Sequence, residues 1–107
     1  MTENIKMLVL EMNQSTFNQI KKEGELVNIN SVHVMDGLSA IGLFRLGNCK
    51  LVLINVDPFF KPQGFRKTMT FLRFANRSND IEIGIFGDDI SSRIQLMLLD
   101  FGVKTFL

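Results

Sequence analysis

The chain has no tryptophan and no tyrosine, and it has one histidine, one cysteine and two prolines. Each shortage removes a class of function. Cys49, alone, cannot close an internal disulfide, which fits a reducing compartment, and no Cys/His spacing suits zinc. Cys49 also has no activating base nearby in sequence, which argues against a catalytic thiol. His33 has no second base, Ser or Cys at a workable spacing, so no catalytic triad can be assembled, and it reads as a solvated edge-strand residue. The ten aromatic residues are all Phe, so aromatic packing comes without a polar handle. A net charge of +1 supplies no overall field for nucleic acid or a membrane. The glycines form no phosphate-cradling loop. No long apolar span and no charged-then-apolar leader is seen, so the expectation is a soluble, cytoplasmic chain.

What is present is an ordinary globular composition. With 107 residues, 46% of them apolar and 21% charged, residues 1–107 are expected to form a single domain around one core. The organising stretch is Lys50 to Pro58, an almost unbroken apolar run stopped by Asn55, Asp57 and Pro58. Such runs read as strands buried on both faces, at the middle of a helix-covered parallel sheet. In such sheets ligands gather at the carboxyl ends of the strands, which directs attention to Asn55 through Asp57.

The flanking chain alternates strand and helix. Ile5 to Glu11 reads as a strand, followed by a helix to about Lys22, capped by Asn13 or Ser15, with Phe17 and Ile20 inward and Gly24 ending it. Glu25 to Val34 reads as a wet edge strand of ambiguous register, since Val27/Ile29 and Val32/Val34 lie on opposite phases. Asp36-Gly37 signals a turn before a helix over Leu38 to Leu46, with Leu38, Ile41 and Phe44 inward and Gly47-Asn48 stopping it. A helix over about Phe65 to Arg77 carries Phe65, Met69 and Leu72 on one stripe. Ile81 to Phe86 is the next strand. Asp88 or Asp89 caps a fourth helix bearing Ile90, Ile94, Met97, Leu98 and Phe101, ended by Gly102, and Val103 to Leu107 is a fifth strand. Alternation of this kind implies a parallel α/β sheet covered on both faces, with right-handed crossovers.

Specific residues then carry a resemblance. Val34-Met35-Asp36-Gly37-Leu38-Ser39-Ala40-Ile41, the strand Leu51 to Asn55, the following Gly64, Asp80 to Phe86, and the closing Leu99 to Leu107 together resemble the response-regulator receiver family, of the chemotaxis-regulator type. The resemblance covers essentially the whole chain in order. It implies a flavodoxin-like, doubly wound, parallel five-stranded sheet of order 2-1-3-4-5, here lacking the final helix. It also implies intracellular two-component signalling by protein–protein contact.

The family's phosphotransfer chemistry is not matched. Receivers accept a phosphoryl group on an Asp carboxylate, and the resemblance puts Asn55 at that position. The two acids that hold Mg²⁺ after the first strand correspond to Glu11 and Met12, and a divalent cation needs oxygen ligands. The hydroxyl that closes the fourth strand corresponds to Gly87, and the family's Lys would lie past Leu107. The degenerate site is thus Glu11, Met12, Asn55, Asp57 and Gly87, with no catalytic residue, no metal ligand set and no cofactor expected. The preferred reading is a pseudo-receiver, not an enzyme. The alternative is a working receiver that takes a phosphoryl group at Asp57, with Glu11 and Mg²⁺, although Asp57 falls in a loop stiffened by Pro58 and reads first as a loop-capping acid.

Two surfaces are candidates for binding. Lys61, Arg66, Lys67, Arg73 and Arg77 form a basic stretch free of acids, with Arg66, Arg73 and Arg77 on one helix face flanked by Phe71 and Phe74. It reads as a solvated face whose Arg stems cover the rings, or else as a site for an acidic partner or, less well, nucleic acid. Ile94, Met97, Leu98, Leu99 and Phe101, with Lys104 and Phe106, supply more apolar surface than one inward stripe needs. In the receiver family this face docks partners, and Phe106 falls at its switch aromatic. A bare sheet face near Ile5 to Leu10 and Val103 to Leu107 would exceed what soluble monomers show, so a second copy, a protein partner or an earlier part of the same chain must cover it, and a homodimer through that face is expected.

Overall fold

In the computed structural model, the central apolar run forms β3 (Cys49–Asn55), flanked by β1 (Ile5–Leu10) and β4 (Glu82–Phe86). The structure describes residues 5–45, 49–55, 62–77, 81–87, 91–100 and 103–106, with the side chains of 62, 63 and 104–106 outside the description. β2 (Ile29–Val34) and β5 (Val103–Phe106) form the edges, in the order β2-β1-β3-β4-β5. Every pairing is parallel. Parallel neighbours need crossovers, and α1 (Gln14–Glu25), α2 (Gly37–Arg45), α3 (Pro62–Ala75) and α4 (Ser92–Leu99) lie between successive strands.

Strand parity divides the sheet into two unlike faces. Leu8, Leu10, Val34, Val52, Ile54, Ile83 and Ile85 point to one side, where Ala40, Phe71, Leu72, Ala75 and Leu98 close the core. Each Val, Leu, Ile or Phe among them taken fully out of water contributes about 1.5–3 kcal/mol. On the other side Phe17 of α1 covers the sheet near β2, and Val9 is fully buried. Met7, Leu51 and Leu53, on the same parity, are only half-buried. The expectation that β3 is buried on both faces is therefore corrected. Three helices serve one face, and among the described residues α1 alone serves the other.

The edge strand resolves its own ambiguity by starting late. Residues 26–28 are turn, Leu26 and Val27 stand exposed, and β2 begins at Ile29, so only the phase of Val32 and Val34 reaches the core. Gly24 does not end α1, which runs one residue further to Glu25. A Cβ at Gly24 would sit 3.3 Å from Ser31 Oγ and 3.4 Å from the Ile29 carbonyl. The glycine permits close approach of helix to strand, and Asn28 takes the positive φ of 62° in the turn.

Other expectations shift by a fraction of a turn. Leu38 is 52% exposed, and Ala40 takes the buried place in α2. Phe71 is fully buried between the sheet and α2, so it belongs to the inner stripe of α3 and not to the flank of a basic face. Phe65, expected inward, is 38% exposed. The fourth helix is capped by Ser91, whose hydroxyl accepts from the Ile94 amide at 3.3 Å. The expected caps Asp88 and Asp89, with Ile90, lie outside the described residues, as do the helix and strand stops at Gly47-Asn48, Pro58 and Gly102.

Candidate functional site

The carboxyl ends of β1 and β3 meet because Leu10 pairs with Ile54, which brings the next residue of each strand to the same end of the sheet. Those residues are Glu11 and Asn55. Glu11 is 3% exposed, and one carboxylate oxygen, Oε2, accepts from the Asn55 side-chain amide at 2.7 Å. The other, Oε1, accepts from the Asn13 backbone N–H at 3.0 Å. A buried carboxylate is costly without such donors, and here both oxygens have one. Asn13 in turn caps α1 by accepting from the Thr16 amide at 3.0 Å.

The backbone of Glu11 is held equally firmly. Its N–H donates to the Val34 carbonyl at 3.3 Å, and its carbonyl accepts from His33 Nε2. A carbonyl only accepts, so Nε2 carries the proton in this contact. The His33 ring stacks on Phe17, with centroids 4.3 Å apart and planes 8° from parallel. His33 is therefore no solvated edge residue: it bridges α1 to the end of β1. The sequence signal missed was the parity of β2, which puts His33 on the α1 side.

The other residues assigned to this end divide. Met12 is 51% exposed and supplies no oxygen. Gly87 has φ 154°, a backbone setting that favours glycine over any residue bearing a hydroxyl. Asp57 lies outside the described residues, so the Glu11–Asp57 pair is not placed. Among the described residues no three His, Cys, Asp or Glu side chains cluster as a metal site would need. At the next strand end, Asp36 accepts from the Ser39 amide at 2.8 Å and the Ser39 hydroxyl at 3.2 Å, capping α2. The Ser39 N–H holds the Asp36 carboxyl below its usual value, against some burial, and Lys67 helps. Burial pushes the Cys49 thiol up, away from the reactive thiolate.

A second feature lies on the helical side. α3 makes its helix contact with α2, while toward α4 a groove of about 530 Å³ opens, lined by Phe65, Arg66, Met69, Thr70, Arg73 and Met97. Of the basic residues, Arg66, Lys67, Arg73 and Arg77 are all exposed, but only Arg66 and Arg73 line the groove. Arg77 lies beyond the end of α3, and Lys67 sits close enough to Asp36 to lower its carboxyl. Phe74 packs edge-on against Phe44, and the Arg45 guanidinium lies 5.5 Å over it.

No family model matches the chain, and no curated protein sequence matches it. Solved structures do. The signal receiver domain of a putative LuxO repressor from Vibrio parahaemolyticus superposes at TM-score 0.77 and 18% identity, over 97% of this chain and 77% of that one. A response regulator from Thermotoga maritima gives 0.78 at 13% identity, over 97% and 83%. A Francisella response-regulator receiver domain gives 0.74 at 21% identity, over 97% and 83%. This chain has the receiver fold.

On the receiver fold the partner-docking residues expected around the fourth helix are redistributed. Leu98 is fully buried and belongs to the core, not to an interface. Ile94 and Met97 are half-buried against that core. Leu96 and Leu99 are the exposed leucines of α4, at 68% and 53%. Leu96 was not anticipated, and its position opposite Leu98 on the helix was the available signal. Phe101, and the side chains of Lys104 and Phe106, lie outside the description. No described helix is long and apolar enough to cross a membrane.

Proposed function

We propose that the chain is a receiver-type signalling module that does not take up a phosphoryl group and acts by binding another protein. One observation carries this reading. At the mouth of the central strand an amide, Asn55, donates to a buried carboxylate, Glu11, at 2.7 Å. The amide has no nucleophilic oxygen for an aspartyl phosphate. The acid it touches has its other oxygen on the Asn13 amide, so a cation entering here would have to displace donors that already compensate the charge. An end of the sheet closed in this way suits a module whose conformational state is set by what it binds and not by phosphorylation.

The test is incubation with acetyl phosphate and Mg²⁺, read by intact mass. The unmodified mass is expected throughout. A gain of one acid-labile phosphoryl group, at Asp57 or elsewhere, would overturn the proposal in favour of a working receiver.

A further inference from the structure

We propose that β2 is a self-pairing edge: two copies of the chain join β2 to β2 antiparallel, about a twofold axis through Ser31, into one continuous sheet. β2 has a neighbouring strand on one side only. The Ile5 amide donates to the Asn28 carbonyl and the Glu11 amide to the Val34 carbonyl. With the register of β1 on β2, this turns the backbone groups of Asn28, Asn30, Val32 and Val34 toward β1. Ile29, Ser31 and His33 turn theirs outward, and no partner for those groups lies among the described residues. Such an edge is a template for another strand unless charge, proline or a bulge guards it. β2 reads INSVHV, with no Lys, Arg, Asp, Glu or Pro, and its ladder with β1 runs six residues without a shift. His33 does not guard it, because its ring is held by the Glu11 carbonyl and Phe17.

Two observations select a second copy, and this register, over another strand. Ser31 is 6% exposed, and its Oγ is the one buried side-chain oxygen or nitrogen without a hydrogen bond among the described residues. A twofold through Ser31 sets that residue against itself, with Cβ atoms about 4.5–5.5 Å apart, a pairing in which hydroxyls bond across the ladder. Ile29 of each copy then faces His33 of the other, so every outward backbone group of both edges is paired. The second observation is apolar. Val27 and Met35 stand four residues before and after Ser31, just beyond the two ends of β2, and are 63% and 47% exposed. The same axis brings Val27 of one copy to Met35 of the other, at both ends. A twofold centred one residue away loses both matches. α1 falls beside α1 of the second copy, and its exposed Lys21, Lys22, Glu23 and Glu25 bring both signs to that approach.

Light scattering after size exclusion, on the intact protein at tens of micromolar, is expected to give twice the chain mass and to fall toward the single mass on dilution. Asn30 is exposed and lies diagonally across the axis from Asn30 of the second copy, at about 7–8 Å. Asn30→Lys alone and Asn30→Glu alone should each dimerise about tenfold more weakly, by like-charge repulsion at an edge that charge guards. An equal mixture of the two should recover the dimer, which a folding defect could not do. Ser31→Cys under mild oxidation should cross-link to itself, since Cα atoms about 5.5 Å apart are within disulfide reach, and the parent, with Cys49 alone, should not. A monomer at hundreds of micromolar overturns the proposal. So does a dimer that the Asn30 variants leave unchanged, or a Ser31→Cys chain that cross-links no faster than the parent. The phosphodonor experiment is read by mass and concerns the carboxyl end of the sheet, so either reading can fail without the other.

Discussion

Replacing Asn55 by Asp is the sharpest probe of the closed strand end. The parent contact is a charge-assisted hydrogen bond at 2.7 Å from an amide to a carboxylate 3% exposed. Losing it costs about 1.5–3 kcal/mol. The variant also sets a second carboxylate against the first. At an effective dielectric of ~20 and a separation of ~4 Å, two unit charges repel by about 4 kcal/mol. Side-chain rotation relieves part of this, so a loss of about 3–5 kcal/mol at pH 7 is expected, a large share of a small domain's total of roughly 5–15 kcal/mol. Two acids sharing such a site cannot both stay ionised, and the folded pair retains a proton more readily than the unfolded chain. The sign follows from proton linkage: the folded variant binds more protons, so its stability deficit is largest at neutral pH and shrinks as pH falls toward about 4. Millimolar Mg²⁺ should also recover stability at pH 7, because the variant offers paired oxygens where the parent offers a donor. Urea unfolding followed by far-UV circular dichroism at both pH values, parent beside variant, measures this. Asn55→Ala, which removes the bond without adding charge, should lose about 1–3 kcal/mol at pH 7. An Asn55→Asp protein as stable as the parent at pH 7, or equally weakened at every pH, would refute the Glu11–Asn55 contact as the element that closes the site.

Further outcomes follow from other contacts. Gly37→Ala puts a Cβ 2.2 Å from the Lys67 carbonyl oxygen and 2.9 Å from the Thr68 nitrogen, so α2 must move off α3; a loss of about 2–3 kcal/mol and a fall of roughly 10 °C or more in Tm are expected. Asp36→Ala removes the α2 cap and should cost about 1 kcal/mol at neutral pH. The Asp36 carboxyl is held below its usual value chiefly by the Ser39 amide, so its stabilisation is present above about pH 4 and lost as pH falls further, where parent and variant stabilities should converge. Cys49, whose thiol burial pushes upward, should react with a disulfide reagent at pH 7.5 far more slowly folded than in urea; equal rates would show that β3 frays at its start.

Most of the fold was legible because its signals are local. β-branched apolar runs bounded by turn residues marked the strands, and Asn13 marked a helix start by the cap it makes with Thr16. Where local reading erred, a tertiary contact had overridden it. Gly24 looked like a helix stop, but its missing Cβ is used for the approach of Ser31. Phe71 looked like a cover for arginine stems, but α2 packs against α3 and draws it wholly inside. Leu98 looked like surplus apolar surface for a partner, yet it fills the core beside Ile94. In each case the residue type was right for either role, and only the position of a neighbouring element decided between them.

The candidate site shows the same division at greater range. That Asn55 ends the central strand was readable from the run that precedes it. That its amide would find Glu11 was not, because the two are 44 residues apart in sequence and meet only through a register between β1 and β3. Yet the pieces were present: a strand ending in Glu, a neighbouring strand ending in Asn, and an order that places them side by side. Two acids facing each other there would demand a cation or a proton, whereas an acid facing an amide demands neither. The Glu11–Asn55 pair therefore compensates one oxygen of the buried carboxylate from within the chain. The first turn of α1, pinned through Asn13 to the same carboxylate, and His33, pinned to the Glu11 carbonyl and stacked on Phe17, extend that fixed point into the helix and the edge strand. A strand end tied on three sides has little freedom to rearrange.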